Sequence, residues 1–389
     1  MPTAINQPTT LLAGLTPEQF MRKHWQKTPL LVRGAFPDFK APISIAEVLK
    51  LCSNDYAESR LIERQGKSKQ WSLRHGPFAK REIPSLHTAG WTVLVQQVNT
   101  LLPIADEFLD HFRFVPQARL DDLMISVAGP DGGIGAHVDS YDVFLVQAAG
   151  QRRWEISERF DPTLNPNAPL KVLKNFKAES DWVLEPGDLL YLPPGVAHRG
   201  TAVGPGCMTW SIGFRAPNRV SLADSVWASH VDRLADSDWA DPWLKATDHP
   251  GEIPPKLLEA LAQQVKQSLP NRAAIEHGVA CVLSEPAPAA VFETPTQPES
   301  PAVFAKKIAK TGLRLAPASR LLYWKESFFF NGEEWTATPA EGRLAATELE
   351  QLANQRHLPP AACAKLCGPA KNFVYRAFLS GWIRYDSSR

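Results

Sequence analysis

The feature that most constrains the fold is a series of short β-rich segments between residues 119 and 215. Each segment is dominated by aliphatic and aromatic residues, and Gly or Pro separates it from the next. The segments span residues 123–127, 143–147, 152–156, 182–184, 189–192 and 208–214. Strands of about five residues at this spacing are typical of a β-sandwich or barrel. We therefore expect residues 1–216 of an α+β protein to form a barrel domain that begins with mixed α/β elements.

The pattern becomes helical in residues 217–285. Pro254 and Pro255 mark the start of a helix, and apolar residues at helical spacing follow them. These residues are Leu257, Leu258, Leu261, Val265 and Leu269. The apolar face can pack either on the core of its own chain or on a partner subunit, and the pattern alone favours neither.

Residues 286–301 have the composition of a linker, because five of the chain's 34 prolines lie there. The remaining residues, 302–389, combine helical stretches with two apolar runs and the pair Asn331-Gly332. An Asn-Gly pair beside apolar runs is a strong hairpin signal. Helices and one hairpin in a segment of this length predict a winged-helix domain.

The overall charge excludes a chain with a general preference for nucleic acid or anionic membranes, since 42 basic residues face 41 acidic ones. Residues 302–389 alone carry 13 basic and 7 acidic residues. This excess is compatible with a winged-helix regulator that binds nucleic acid and keeps the barrel as a sensor. The run Phe328-Phe329-Phe330 instead favours a hairpin packed into a core or interface, and we expect no specific DNA partner.

The sequence predicts a cytoplasmic protein with no membrane partner. No segment reaches the roughly 18 apolar residues of a membrane span, and the first residues lack the basic-then-apolar pattern of a signal peptide. The five cysteines are scattered, as in a reducing compartment. Cys363 and Cys367 lack the CxxC spacing of a zinc site, so we interpret them as two thiols on one helix face.

A candidate metal site begins with His137 and Asp139. Side chains two residues apart on a strand project to the same side, so the imidazole and the carboxylate share a face. His198 follows a PGD turn and a strand end, and in a barrel its strand can lie opposite that of His137. Two His and one Asp form the facial triad of non-haem Fe(II) oxygenases. The alternative is a hydrogen-bonded pair at a barrel mouth.

Such iron sites commonly use 2-oxoglutarate, whose far carboxylate needs a buried cation. Arg152 alternates with Trp154 and Ile156, and this apolar pair should face the barrel interior. A bidentate guanidinium suits a carboxylate, and a buried Arg without a partner is costly. The alternative for Arg152 is a structural ion pair with an internal acid.

The same alternation places Asp122 and Ser126 on one face, together with Met124, which we expect to be core. Ser126 could donate to the co-substrate carboxylate, and Asp122 could pair with a cationic substrate side chain. Tyr141 continues the face of His137 and Asp139. It could therefore pack beside that substrate, with a ring face available to a cation.

At these residues the chain resembles the bacterial ribosomal oxygenases, the cupin-like branch of the JmjC oxygenases. The resemblance covers most of the chain. It is carried by HWQKTPLLVR at 24–33, DDLMIS at 121–126, HVDSYDVF at 137–144, GQRRW at 150–154, YLPPGVAH at 191–198 and SIGFRAP at 211–217. It implies a double-stranded β-helix barrel, then a helical dimerisation region at 217–285, and a C-terminal winged helix at 302–389.

The resemblance also implies the chemistry. Fe(II) would be held by His137, Asp139 and His198, and 2-oxoglutarate by Arg152 and Ser126. With O₂, such an enzyme hydroxylates an arginine of the large-subunit ribosomal protein L-sixteen, giving 3-hydroxyarginine, succinate and CO₂. Residues that would hold the substrate arginine are Asp122, Tyr141 and Ser211.

The residues by themselves leave other outcomes open. Hydroxylation of another side chain and N-demethylation use the same site and differ only in which carbon lies near the metal. A cupin isomerase or storage protein is disfavoured, because those sites typically use more histidines and need no internal Arg for an anionic co-substrate.

Overall fold

The structure is a computed structural model of the 389-residue chain and describes residues 4–65, 70–335 and 346–386. The chain forms two compact units. The first takes its described residues from Met1–Ala216, Pro286–Arg320 and Ala337–Arg389, and the second from Pro217–Glu285 and Leu321–Thr336. Within the described ranges, none of the helices combines the length and apolar character that crossing a membrane requires.

The first unit opens with short helices and strands. Its helices are α1 (Pro17–Lys23), α2 (Ile45–Leu51), α3 (Val98–Leu101) and α4 (Pro103–Phe108), and its strands are β1 (Leu30–Val32), β2 (Ser59–Gln65), β3 (Gln70–His75) and β4 (Trp91–Val95). Three turns of 3-10 helix lie at Thr10–Leu12, Lys80–Glu82 and Leu109–Phe112. Local sequence explains the start of α1, where Thr16 and Gln19 form a reciprocal capping box around Pro17.

Eight further strands form a barrel. They are β5 (Leu120–Ala128), β6 (His137–Val138), β7 (Val143–Ala149), β8 (Arg152–Ser157), β9 (Ser180–Leu184), β10 (Leu189–Leu192), β11 (Ala197–Ala202) and β12 (Cys207–Phe214). One sheet has the order β1-β10-β7-β12-β5-β4-β2-β3, and the other has the order β6-β11-β8-β9. The orders β10-β7-β12-β5 and β6-β11-β8-β9 are those of a double-stranded β-helix, so the predicted barrel is present. The large sheet is extended by β1 at one edge and by β4, β2 and β3 at the other.

Alternation along β7 separates the core from the interior of the barrel. Phe144 and Val146 face an aromatic core that includes Phe20 and Tyr191, whereas Val143 and Leu145 face the other side. The rings of Phe144 and Tyr191 lie 4.9 Å apart between centroids. Full burial of one such side chain stabilises the fold by about 1.5–3 kcal/mol. The aromatic core therefore stabilises the face of the large sheet that points away from the barrel interior.

Beyond β12 the chain continues with thirteen elements. In order they are α5 (Arg219–Val231), α6 (Pro255–Gln267), α7 (Arg272–Ser284), α8 (Pro301–Thr311), β13 (Leu313–Leu315), β14 (Leu321–Trp324), β15 (Ser327–Phe330), β16 (Glu333–Trp335), α9 (Ala346–Gln355), β17 (His357–Leu358), α10 (Pro360–Cys363), α11 (Gly368–Leu379) and β18 (Ile383–Tyr385).

The second unit is built on α5 and α7, which pack together, and on the antiparallel sheet β14-β15-β16. Asn331 and Gly332 connect β15 to β16 with φ of +50° and +91°. Both residues are left-handed, as a type I′ hairpin turn requires. Phe328, Phe329 and Phe330 are buried, in agreement with a hairpin that packs into a core. No residue of α6 is buried.

The division of the C-terminal part differs from the domains expected at 286–301 and 302–389. Residues 286–320 join the first unit, together with the sheet β17-β13-β18 and helices α8, α10 and α11. The hairpin at 321–336 belongs to the second unit instead. The physical reason is burial, because the apolar face of this hairpin packs against α7. Part of the expected domain, residues 336–345, lies outside the described residues.

Candidate active site

Three side chains with metal-ligand chemistry converge where β6 meets β11. His137 and His198 are direct partners in this antiparallel pair, and Asp139 follows β6. Their strands are therefore hydrogen-bonded neighbours rather than opposite one another. The carboxylate of Asp139 lies 3.8 Å from Nε2 of His137 and 3.6 Å from Nε2 of His198. All three ligand atoms fall within 4.8 Å of one another.

Backbone carbonyls fix the tautomer of both imidazoles. Nδ1 of His137 lies 3.1 Å from the carbonyl oxygen of Gly135, and Nδ1 of His198 lies 3.0 Å from that of Val196. A carbonyl only accepts, so each Nδ1 carries the proton and each Nε2 presents a lone pair to the cluster. Burial also lowers the pKa of His198 to about 3, which keeps this ring neutral, as metal coordination requires.

Burial raises the pKa of Asp139, although His137 and a hydrogen bond from Tyr141 oppose the rise. A divalent cation among the three side chains would favour the ionised carboxylate. The backbone is held in place here, because the N–H of Gly195 donates to the carbonyl of Asp139 at 2.9 Å. Further along, the buried carboxylate of Asp142 accepts a 2.6 Å hydrogen bond from the hydroxyl of Tyr191.

Arg152 lies on the neighbouring strand β8 and is 4% exposed. Its Nη1 donates to the carbonyl of Gly200 at 3.4 Å, but its Nε and Nη2 are buried without a hydrogen-bond partner. No ion pair joins Arg152 to a carboxylate within the described residues, so the alternative of a structural ion pair finds no support there. A buried guanidinium with two unused donors is costly, and an incoming carboxylate would satisfy both.

Ser126 lies on β5 of the large sheet and lines the same cavity as Arg152. It pairs with Thr209 in the β5–β12 ladder, and its Oγ donates to the Thr209 carbonyl at a long 3.4 Å. This distance marks a weak hydrogen bond, so the hydroxyl can turn to a better acceptor. The side chain of Thr209 is committed elsewhere, since its hydroxyl donates to Gln147 at 3.0 Å.

Asp122 stands at a β-bulge. Ile212 pairs with Leu123 and Phe214 pairs with Leu120, so the two residues Asp121 and Asp122 stand opposite Gly213 alone. Bulges next to functional sites re-aim side chains, and here both aspartates line the cavity.

The carboxylate of Asp122 is held by a backbone N–H group, and among the described residues it has no ion pair within 4 Å. Its Oδ2 accepts a 3.0 Å hydrogen bond from the backbone N–H of Gln97. Burial raises the pKa of Asp122 to about 6, and the charge of neighbouring Asp121 adds to the rise. A Cβ at Gly213 would come within 3.3 Å of Oδ1 of Asp122, so a glycine leaves this carboxylate its approach to the interior.

The remaining predicted substrate residues are Tyr141 and Ser211. Tyr141 is 38% exposed, and burial of its hydroxyl together with the charge of Asp139 raises its pKa, so the phenol stays neutral. Ser211 is buried and pairs with Met124 of β5 and Leu145 of β7. Both line the same space as Asp122.

All eight predicted site residues line one cavity of about 390 Å³. Its volume lies at the lower end of the range for small-molecule sites. Sequence reasoning missed Arg60, Gln96 and Lys171, which also line it. Arg60 lies on β2 and Gln96 directly follows β4, so both lie outside residues 119–215. Lys171 belongs to the long connection between β8 and β9, where no strand pattern indicates the direction of a side chain.

The cavity fits a metal and an anionic co-substrate. Two His and one carboxylate leave open coordination positions on a divalent ion, an arrangement typical of Fe(II) oxygenases. Arg152, which carries two unused donors, lines the same cavity as the three metal-ligand side chains. Both groups can therefore act on one bound molecule.

The comparisons with known proteins agree with this geometry. Residues 107–222 match the JmjC domain. The chain is 37% identical over 249 residues to the "Ribosomal protein uL16 3-hydroxylase" of Escherichia coli, an alignment covering 63% of this chain and 65% of that protein. It is 30% identical to the "Probable ribosomal oxygenase" of Haemophilus influenzae, in an alignment that covers 67% of this chain and 66% of that protein. Both alignments thus span just under two thirds of these relatives.

Solved structures extend the likeness over nearly the whole chain. The crystal structure of E. coli YcfD superposes with a TM-score of 0.82 and 27% identity, covering 99% of this chain and 100% of that one. A second YcfD structure is described as a ribosomal oxygenase in complex with cobalt and 2-oxoglutarate. It superposes with a TM-score of 0.77 and 28% identity, covering 96% of this chain and 99% of that one. On sequence and structure together, residues 107–222 match the JmjC domain, and the chain is similar to ribosomal oxygenases over most of its sequence and nearly all of its structure.

Proposed function

We propose that this protein is an Fe(II)- and 2-oxoglutarate-dependent hydroxylase that modifies an arginine of a uL16-type ribosomal protein. The observation that carries the proposal is the convergence of three features in one cavity. A metal-ligand triad, a buried Arg152 with two unused donors and the carboxylate of Asp122 all line it. A relative named as a uL16 3-hydroxylase and a relative solved with cobalt and 2-oxoglutarate support the same assignment.

In this proposal His137, Asp139 and His198 hold Fe(II), and Arg152 with Ser126 holds the far carboxylate of 2-oxoglutarate. The bound iron and co-substrate, with O₂, supply the oxidation, which releases succinate and CO₂. The protein binds the co-substrate and the substrate and orients them. Arg152 uses its idle donors on the carboxylate, and the neutral Nε2 atoms of both histidines remain available to the metal.

The substrate end of the cavity suits an arginine. Asp122 offers its guanidinium a carboxylate, Tyr141 offers a ring face, and Ser211 offers a hydroxyl. These contacts would place the side-chain methylene, rather than the guanidinium, towards the metal. The expected product is therefore 3-hydroxyarginine rather than a demethylated amine.

The test is mass spectrometry of ribosomal proteins incubated with this protein, Fe(II), ascorbate and 2-oxoglutarate. We expect the gain of one oxygen atom on one arginine-containing peptide, with no gain for His137→Ala. Oxygen added to a histidine instead, or loss of a methyl group, would redirect the assignment to another side chain. No modification and no succinate above the His137→Ala background would overturn it.

We also infer that the protein is a homodimer of the cytoplasm, where a ribosomal substrate is found. Support for self-association comes from the helical region 217–285, where Leu258 and Val265 of α6 and Leu269 just after it are 58%, 65% and 60% exposed. A winged helix at 302–389 stays a prediction, supported by the sheet β17-β13-β18 and its surrounding helices.

A further inference from the structure

The β-bulge that carries Asp122 is held from outside the barrel. Arg320 lies in the C-terminal part of the first unit, between β13 and β14, and is 5% exposed. Its Nη1 donates to the carbonyl of Leu120 at 2.8 Å, and its Nη2 donates to that of Asp121 at 2.9 Å. These carbonyls belong to the two residues directly before Asp122. One planar guanidinium therefore clamps the start of β5.

Arg320 is itself held in place by a second buried arginine. Arg356 donates from Nη1 to the carbonyl of Ser319 at 2.6 Å and from Nη2 to those of Ala316 and Pro317 at 2.9 Å each. Its Nε lies 3.3 Å from a carboxylate oxygen of Asp106 in α4. The loop that presents Arg320 is thus fixed on the barrel side, and the clamp has a defined position.

The clamp also influences charge at the site. Burial lowers the pKa of Arg320 to about 9, so the guanidinium remains charged at neutral pH. Its positive charge favours the ionised form of Asp122, against the burial that disfavours it. Because a bulge lacks a regular ladder to define its geometry, the direction of the Asp122 carboxylate depends on contacts of this kind.

We propose that Arg320 is a positioning residue for the substrate arginine, which acts by holding the Leu120–Asp121 backbone so that the Asp122 carboxylate faces the cavity. The inference rests on the proposed function and adds a specificity determinant to it. It gives the C-terminal segment a role in substrate recognition, although Arg320 is not among the residues that line the catalytic cavity.

The test is steady-state kinetics with the target ribosomal peptide, comparing Arg320→Gln with wild type. We expect KM for the peptide to rise about tenfold while kcat stays within about twofold, because Asp122 contacts bind substrate and transition state alike. Preference for the arginine peptide over the same peptide with citrulline should fall by a similar factor. Arg314→Gln is the matched control, since Arg314 also lies in the C-terminal segment and pairs with Glu107 and Asp386 away from the bulge.

A double-mutant cycle separates positioning from simple stability. If Arg320 acts through Asp122, the double variant with Asp122→Asn has the peptide KM of Asp122→Asn alone. If the effects of the two substitutions on the peptide KM instead multiply in the double variant, or if KM is unchanged in Arg320→Gln, this inference is overturned and the proposed function stays intact. Absence of product with wild type would overturn both. Should Arg320→Gln fail to fold, Arg320→Lys, which keeps the charge without the planar fork, gives the same readouts with an intermediate shift.

Discussion

At the scale of single residues, Arg152 separates function from stability. Replacing it with Met removes the donors Nε and Nη2 but keeps a chain of similar length. Hydrogen bonds to charged groups contribute about 1.5–3 kcal/mol. We therefore expect KM for 2-oxoglutarate to rise about 100-fold for Arg152→Met, measured by succinate formation.

The unfolding free energy of the metal-free, co-substrate-free Arg152→Met protein should stay level or rise, because a buried cation with unused donors has been removed. The adjacent Arg153→Gln is the control. Arg153 lies on the other face of β8 and pairs with Asp181 near the surface. A large loss of stability in Arg152→Met, with KM unchanged, would show that Arg152 is structural.

The raised pKa of Asp122 predicts how the stability of the protein depends on pH. This pKa is raised from 3.8 to about 6 in the folded protein, so between these values the folded state binds more protons than the unfolded state. Stability from this group is then highest at low pH and is lost as the pH rises through 6. Asp122→Asn cannot ionise, and its stability relative to wild type should increase by about 2 kcal/mol between about pH 4 and pH 7.

Urea unfolding of both proteins across this range measures the difference. The peptide KM of wild type should also rise below about pH 6, as Asp122 loses the charge that would pair with a guanidinium, and that of Asp122→Asn should not. Parallel pH profiles for the two proteins would contradict both statements.

At the scale of elements, alternation along strands predicts several of the residues that line the candidate site. It placed Asp122 and Ser126 on the face that lines the cavity, and it placed Arg152 inside the barrel. Alternation does not say which strands pair, so it does not predict the direct pairing of His137 with His198. It also fails at a bulge, where Asp121 joins Asp122 at the cavity.

The domain boundaries were harder to predict for a related reason. The hairpin at 321–336 has an unmistakable turn signal, but nothing in its own sequence says which helices will cover its apolar face. It packs with α7, which ends more than 35 residues earlier in the chain. Patterns within a segment therefore predict its conformation, whereas its partners depend on contacts far apart in sequence.

The loop before β6 tests how backbone conformation supports the metal site. Gly135 has φ of +86°, and a Cβ there would lie 2.7 Å from Val172. A residue with a side chain in the left-handed region costs about 1–2 kcal/mol, and displacement of this loop would move the carbonyl that orients His137. We expect Gly135→Ala to lower Co(II) affinity at least about tenfold, measured by visible absorption of the bound metal.

Gly14→Ala isolates the backbone contribution, since Gly14 has φ of +79° and open space around its Cβ position. Its expected effect is a small loss of stability and no change in Co(II) affinity. Equal Co(II) affinities for the two alanine variants would show that the Gly135 loop does not position His137.

At the scale of the whole molecule, the C-terminal segment folds with the barrel rather than beside it. Arg356 is 6% exposed and reaches Asp106 of α4, which also pairs with Arg113. Removing one partner from a buried ion pair costs about 3–5 kcal/mol. Arg356→Met should therefore lose about 3 kcal/mol in unfolding free energy, and exposed Lys365→Gln should lose almost none.

Truncation extends this prediction. A chain ending at residue 285 lacks both Arg320 and Arg356, and calorimetry should show a barrel that melts far below wild type or is already unfolded. A truncated barrel with the midpoint of wild type would instead support an independent C-terminal domain, as the proline content of 286–301 first indicated.

Self-association is the second property of the whole molecule, and α6 makes it testable. Leu258 and Val265 of this helix and Leu269 just after it face solvent within the single chain, so a second copy is the occupant we propose for them. A charge in the centre of an apolar contact is left desolvated and unpaired, at a cost of several kcal/mol. Sedimentation equilibrium should therefore give a dimer for wild type and a monomer for Val265→Glu.

Lys266→Glu changes charge at the next position of the same helix and should remain dimeric, which separates the apolar face from helix stability. A monomeric wild type would exclude the second copy as the occupant. A dimeric Val265→Glu would instead place the contact away from α6, with the exposed Trp227 and Val231 of α5 as the next surface to vary. In both cases the hydroxylation assay remains the independent measure of the active site, because all eight of its predicted residues lie in the first unit.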